Sequence, residues 1–180
     1  MGKPVIIILG PTGSGKSLQA QKLAADLGYA RLSTGALLRE ADTPQTDHFL
    51  DQGKLALSED VQRVLAGAIE KLGDYRGIVL DGFPRLMPEA KWFKAYAHQQ
   101  GLILKKVIVF SISREVSEER VLGRGREDDS RQTFDNKWDD YENRTTPVID
   151  YYAQSQLVVE IDGTGAVNDI FQKVKAGVEE

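Results

Sequence analysis

No cysteine occurs among the 180 residues of the chain. Disulfides, thiolate metal sites and a cysteine nucleophile are thereby excluded. Histidine is nearly as scarce: His48 and His98 are the two, too few for a histidine-rich metal site. Long hydrophobic runs are missing as well. The longest, Val5–Leu9, falls far short of the roughly 20 apolar residues that a membrane-spanning helix needs. A glycine-rich turn follows that run at once, so it reads as a strand and not as a signal segment, and the expected compartment is the cytoplasm. Neither sign of charge dominates, with Lys plus Arg at 23 against Asp plus Glu at 27, a net charge of −4. A broad nucleic-acid surface needs an excess of positive charge, so neither nucleic acid nor membrane is an expected partner. A local cationic cluster around a small anion stays open. What is present is ordinary globular material, 41% hydrophobic and 28% charged, of a length that fits one domain over residues 1–180.

Short apolar runs alternate with helix-length segments. Val5–Leu9, Gly77–Leu80, Lys106–Ile112 and Leu157–Ile161 are rich in Val and Ile and read as buried strands, with Tyr29–Leu32 a weaker fifth. Helices are expected over Lys16–Leu27, Ser58–Leu72, Pro88–Gln100, Val116–Gly123, Arg131–Ala153 and Val167–Val178. This alternation predicts an α/β fold, a parallel sheet with helices on both faces. Trp92, Phe93 and Tyr96 share one helical face and are expected in the core. The polar stretch Glu40–Asp51 reads as an excursion from the core.

The most specific local signal is Gly10-Pro11-Thr12-Gly13-Ser14-Gly15-Lys16-Ser17, a full G-x-x-x-x-G-K-[ST] phosphate loop. An apolar strand precedes it and a helical segment follows. Glycines let successive N–H groups face one concavity, and the helix N-terminus adds positive potential. Lys16 is expected on the β- and γ-phosphates of a nucleoside triphosphate, and Ser17 on Mg²⁺. Asp81 closes the run Gly77–Leu80, and an acid at the carboxyl end of such a strand is placed to hold Mg²⁺ directly or through water. Arg85 follows, on a turn stiffened by Pro84.

The run Asp81-Gly82-Phe83-Pro84-Arg85 resembles the signature of the adenylate kinase family of nucleoside monophosphate kinases. Ser33-Thr34-Gly35-Ala36-Leu37-Leu38-Arg39, Gly53–Glu59, Arg120–Asp129 and Thr146–Tyr152 are similar to further segments of that family, in its order and over essentially the whole chain. The resemblance implies a P-loop NTPase-type five-stranded parallel sheet of order 2-3-1-4-5. It also implies an acceptor-nucleotide segment over 33–62, a short lid over 124–137 and a monomer. The activity implied is Mg²⁺-assisted phosphoryl transfer from ATP to a nucleoside monophosphate, with AMP the first choice (ATP + AMP = 2 ADP).

Carried over position by position, Gly10–Ser17, Leu18, Arg120 and Gly165 would meet ATP. The acceptor would lie against Ser33, Thr34, Gly35, Arg39, Leu55, Ala56, Gly82, Phe83, Arg85 and Glu89. Lys16, Arg85, Arg124, Arg126 and Lys137 would act on the transferring phosphate. Arginine suits that work because its planar fork grips phosphate and stays protonated. Six of eleven arginines lie between Arg114 and Arg144, together with ten acids. Arg114, Arg131 and Arg144 are expected to be surface partners of those acids, while Asp128 and Asp129 could order the lid arginines. Lys16, Arg39, Arg85, Arg124 and Arg126 are expected to converge on one cleft, with the acids mostly elsewhere. No strong general base is required, because the nucleophile is a phosphate oxygen, so His48 and His98 are expected on the surface.

Several positions depart from the family pattern. Ser17-Leu18 stands for the usual Gly-Thr, and Lys137 for a lid arginine, a point charge in place of a fork. The lid is too short for a zinc knuckle, so no structural zinc is expected. Glu89 stands where a Gln commonly reads the acceptor base. A carboxylate has no donor for adenine N1 but can accept from guanine N1 and N2 or from the cytosine N4 amine. Glu89 therefore keeps GMP or CMP open as acceptor, against Thr34, which matches the adenine-selective members. Glu89 turned to solvent is the bland reading. A catalytically weak nucleotide-binding module is the alternative outside enzymes. A kinase of a non-nucleotide metabolite is opposed by Ser33–Gly35 and Asp81–Arg85.

Overall fold

Strand β1, Lys3–Leu9, shows how the sheet is built. From Val5 onward every side chain is buried, which an all-parallel sheet covered on both faces requires. Val5, Ile7 and Leu9 point into one cluster and Ile6 and Ile8 into another, because side chains alternate across a strand. The computed structural model of the chain describes residues 2–41, 52, 56, 58–125 and 129–179. Its sheet adds β2 (Ala30–Ser33), β3 (Ile78–Asp81), β4 (Leu102–Ser111) and β5 (Val158–Asp162). The strands are parallel, in the order β2-β3-β1-β4-β5. This is the predicted order.

Eight α-helices are described: α1 (Lys16–Leu27), α2 (Thr34–Glu40), α3 (Ser58–Glu70), α4 (Met87–Gln99), α5 (Arg114–Arg124), α6 (Arg131–Asp140), α7 (Thr146–Ala153) and α8 (Val167–Glu179). One face of the sheet packs on Val61, Leu65 and Ile69 of α3, on Phe93 and Tyr96 of α4, and on Val148 and Tyr152 of α7. The other packs on Leu23 of α1 and on Ile170 and Val174 of α8. Phe93 and Tyr96 are buried, and Trp92 stacks on Tyr96 at 4.8 Å, so the aromatic face of α4 is core as expected.

One expected helix is in fact two. Over 131–153 the chain runs through α6, a π-turn at Tyr141–Thr145 and then α7. Pro147 has no N–H and its ring crowds the carbonyl four residues back, so regular α-helix cannot pass through it. The ladder widens just ahead, where Thr146 N–H donates to Tyr141 O, five residues back. Ser113 caps α5 through Val116 N–H and Ser130 caps α6 through Thr133 N–H, so both helices that flank 125–129 have fixed starts.

Register puts the functional loops along one edge. Ile8 and Ser33 both lie opposite Asp81. Gly10, Thr34, Gly82 and Gly163 therefore leave the carboxyl ends of β1, β2, β3 and β5 side by side, where open α/β sheets bind ligands.

Candidate active site

The phosphate loop passes between β4 and α5 with no room to spare. A Cβ on Gly10, whose φ is +148°, would lie 2.8 Å from Phe110 Cβ and 2.9 Å from Phe110 O. Two outside contacts hold the loop, and one of the residues that make them reaches on to β5's exit. Ser117 Oγ on α5 donates to Thr12 O (2.6 Å), and Arg120 Nη1 donates to Gly13 O (3.3 Å) and to Gly163 O (2.9 Å). Inside the loop, Lys16 Nζ arches back to donate to Pro11 O at 3.0 Å. Leu18 and Gln19 N–H groups donate to Gly15 O, so α1 starts inside the motif and aims its positive end at the loop. Leu18 itself is exposed, and Gly165 lies in open space at φ +115°.

Across from the loop stands Asp81, 2% exposed. Its Oδ1 accepts from Ser17 Oγ at 3.1 Å, and its Oδ2 is paired with Arg31 Nη2 at 2.5 Å. The hydroxyl and carboxylate predicted to serve one cation are thus adjacent, and their hard oxygens fit Mg²⁺.

The next turn belongs to Arg85. Gly82 O accepts from both Thr34 Oγ1 (3.0 Å) and Arg85 Nε (2.8 Å), and so binds α2 to the arginine. Arg85 is half-buried as a residue, with its guanidinium head set among protein atoms. Burial pushes its pKa down from the ordinary value, the carboxylates of Glu89, Asp81 and Asp140 push it up, and Arg39 pushes it down. Arg39 and Arg85 are therefore close enough to repel, an arrangement that favours an anion between them. Arg39 folds back over Gly35, where a Cβ would be 3.6 Å from its Nη1. Ser33 ends β2 and Ala56 is buried in the core. Phe83 is fully buried against Phe93 and Trp92, so what it lends the site is backbone.

Glu89 takes neither of its two expected positions. It does not face solvent, being 2% exposed. Its Oε2 accepts from the N–H groups of Arg85 (2.7 Å) and Leu86 (3.2 Å), closing the first turn of α4. One of the two oxygens on which the GMP or CMP alternative relied is thus already held by backbone.

A family model described as Adenylate kinase matches residues 8–157. The chain belongs to the adenylate kinase family. Relatives named Adenylate kinase include those of Methylobacterium nodulans (36% identical, 94% of each chain covered) and Corynebacterium urealyticum (34%, 92% of this chain and 93% of the relative). Another is that of Carboxydothermus hydrogenoformans (30%, 97% and 99%). An adenylate kinase is a phosphotransferase that interconverts ATP plus AMP with two ADP, and that is the activity of this chain; GMP or CMP as acceptor is not favoured.

Within the adenylate kinase frame, Arg124, one of the cations expected on a lid, is not bare. Arg124 Nε and Nη2 grip both oxygens of Asp129, at 2.6 and 2.7 Å, and the Asp129 side chain is fully buried. Lys137 lies half-buried in the last turn of α6. Arg126, Asp128, Leu55 and His48 fall outside the described residues. Arg114, Arg131 and Arg144 pair with Asp135, Glu118 and Asp140, as surface partners should. The expectation that acids lie mostly elsewhere needs correction, since Asp81, Glu89, Asp129 and Asp140 sit among the arginines. Carboxylates set among the arginines offset part of their positive charge.

Sequence reasoning missed Ser117 and Arg31. Ser117, Arg120 and Arg124 recur at helical spacing on α5, a usable signal. Arg31 had none, because its partner comes from the neighbouring strand. With Arg31→Leu the buried Asp81 carboxylate loses its countercharge, although the Arg31 side chain is about one-third exposed. Urea unfolding is expected to show a loss of about 1–3 kcal/mol; stability equal to the parent protein would refute the pairing as a support.

Proposed function

We propose that phosphoryl transfer in this chain runs between the Gly10–Ser17 loop and the Arg39–Arg85 pair, with Lys16, Arg124, Arg126 and Lys137 on the transferring group. The supporting observation is the bond from Ser17 Oγ to Asp81 Oδ1, which places the donor loop beside the strand end whose next turn carries Arg85. Phosphoryl transfer demands alignment and positive charge more than covalent chemistry. In this reading Lys16 turns from Pro11 O to the donor phosphates. Arg39 and Arg85 hold the acceptor phosphate, and their mutual repulsion falls as it binds. Arg124 exchanges Asp129 for phosphate when the lid closes, and closure excludes the water that would otherwise take the phosphoryl group. The short lid at 124–137 and the acceptor segment at 33–62 are the moving parts. Arg120, with Nη1 fixed to Gly13 and Gly163, offers its planar face to the donor base near Gly165. Ser17 and Asp81 would hold Mg²⁺, which when bound neutralises charge on the donor phosphates.

AMP is the acceptor in this reading. Initial rates with Mg·ATP and each of AMP, GMP, CMP and UMP test it directly. Turnover is expected with AMP in clear excess over the others; GMP turnover without AMP turnover would sink the assignment.

A further inference from the structure

The turn that carries Arg85 is anchored at three atoms. Arg85 Nε donates to Gly82 O at 2.8 Å. Arg85 O accepts from Thr145 Oγ1, on the π-turn, at 3.3 Å. Arg85 N–H donates to Glu89 Oε2 at 2.7 Å, and the same oxygen accepts from Leu86 N–H at 3.2 Å. Glu89 closes the anchor because it lies in the first turn of α4, where orphan N–H groups and the helix dipole favour a negative charge.

We propose that Glu89 is a positioning residue for Arg85: its carboxylate fixes the backbone of the arginine that meets the acceptor phosphate, instead of reading the acceptor base. The inference rests on the reading that Arg85 binds that phosphate. Bonds from N–H groups to a carboxylate are shorter and about twice as strong as those to a neutral amide oxygen. A glutamine here would anchor more weakly but bring a donor for a base. A glutamate anchors strongly and brings none. Burial raises the Glu89 carboxyl above its ordinary pKa, and the two N–H bonds and the Arg85 guanidinium offset part of that rise. Rigid placement matters because an arginine displaced by about 1 Å can cost on the order of 100-fold in rate. Every nucleoside monophosphate presents the same phosphate, so an anchor for Arg85 acts on all acceptors alike, whereas a base reader acts on their ratio.

The test uses the full chain and steady-state rates at saturating Mg·ATP, with AMP and GMP as acceptors. Glu89→Ala is expected to raise the KM for AMP about tenfold. The KM for ATP should stay within about twofold, and the AMP-to-GMP ratio of kcat/KM should not move. Glu89→Gln keeps an acceptor oxygen and is expected to recover most of the loss. If Glu89→Ala does not fold, as read by circular dichroism, Glu89→Asp replaces it: it keeps the charge, falls one methylene short, and should raise the AMP KM in the same way. An AMP-to-GMP ratio shifted tenfold or more in the folded Ala or Asp variant, or GMP turnover that appears anew in either, overturns the proposal in favour of base reading. An unchanged AMP KM in the folded Ala or Asp variant overturns it too. Arg85→Ala is the control that separates the two readings. If it also leaves the AMP KM unchanged, the acceptor-phosphate assignment falls; if it raises that KM while the Glu89 variants do not, only the positioning role falls.

Discussion

Lys16→Met should lower kcat by about 10²–10³-fold with the fold intact. Lys16 is the first residue of α1, and its Nζ lies 3.0 Å from Pro11 O. That bond holds the side chain back along the loop, from which it turns to the donor phosphates in the proposed reading. Methionine matches the length and keeps the helix propensity, so α1 and its packing on Leu23 remain. The charge is what disappears. It acts on a phosphoryl group whose negative charge redistributes in flight, which is where a fixed cation is worth most. Circular dichroism and a coupled ADP assay read the two halves of the expectation separately. A kcat within about threefold of the parent, on a folded variant, would remove Lys16 from the transfer step.

Arg85→Ala should raise the KM for AMP at least about tenfold and lower kcat by about 10²–10³-fold, leaving the KM for ATP nearly unchanged. The asymmetry follows from placement. Arg85 stands on the β3 turn beside Arg39, while the donor loop is supported by Ser117 and Arg120 from α5. Loss of the guanidinium leaves Gly82 O its Thr34 bond, so the turn is expected to keep its course. Arg85→Lys should not restore activity, because an ammonium cannot give Nε to Gly82 O and two further donors to a phosphate in one plane. Equal changes in the two KM values would place Arg85 in general support of the site.

Much of this was legible from residues whose chemistry is local. The phosphate loop declares itself because its glycines, lysine and serine lie side by side in the chain, between an apolar strand and a helix. The continuous burial of β1 follows from its run of Val and Ile. The aromatic face of α4 follows from 3.6-residue spacing. Part of what stayed hidden depends on partners distant in sequence. Arg31 pairs with Asp81 across fifty residues, and nothing near either names the other. The break at Tyr141–Thr145 lies just ahead of Pro147, a local signal that the expectation of one helix over 131–153 did not weigh. For Glu89 the chemistry of the side chain was read correctly, but its orientation was not, because two N–H groups of its own helix start compete for the oxygen that a base would use. The acids beside the arginines could be counted in the sequence, but not placed.

The order of synthesis gives the donor loop a particular history. Its motif is complete by Ser17, yet part of its surroundings comes from much later in the chain: Arg120 bridges Gly13 O to Gly163 O, a Cβ on Gly163 would stand 2.8 Å from Ser14 O, and Gln19 Nε2, just past the motif, donates to Val167 O. A ribosome makes the loop first and its braces last. Strand β5 and the start of α8 must emerge before the loop is held on all sides, so a nascent chain that stalls before Val158 carries the motif with its supports from Ser117 and Arg120 but without the sides that Gly163 and Val167 supply.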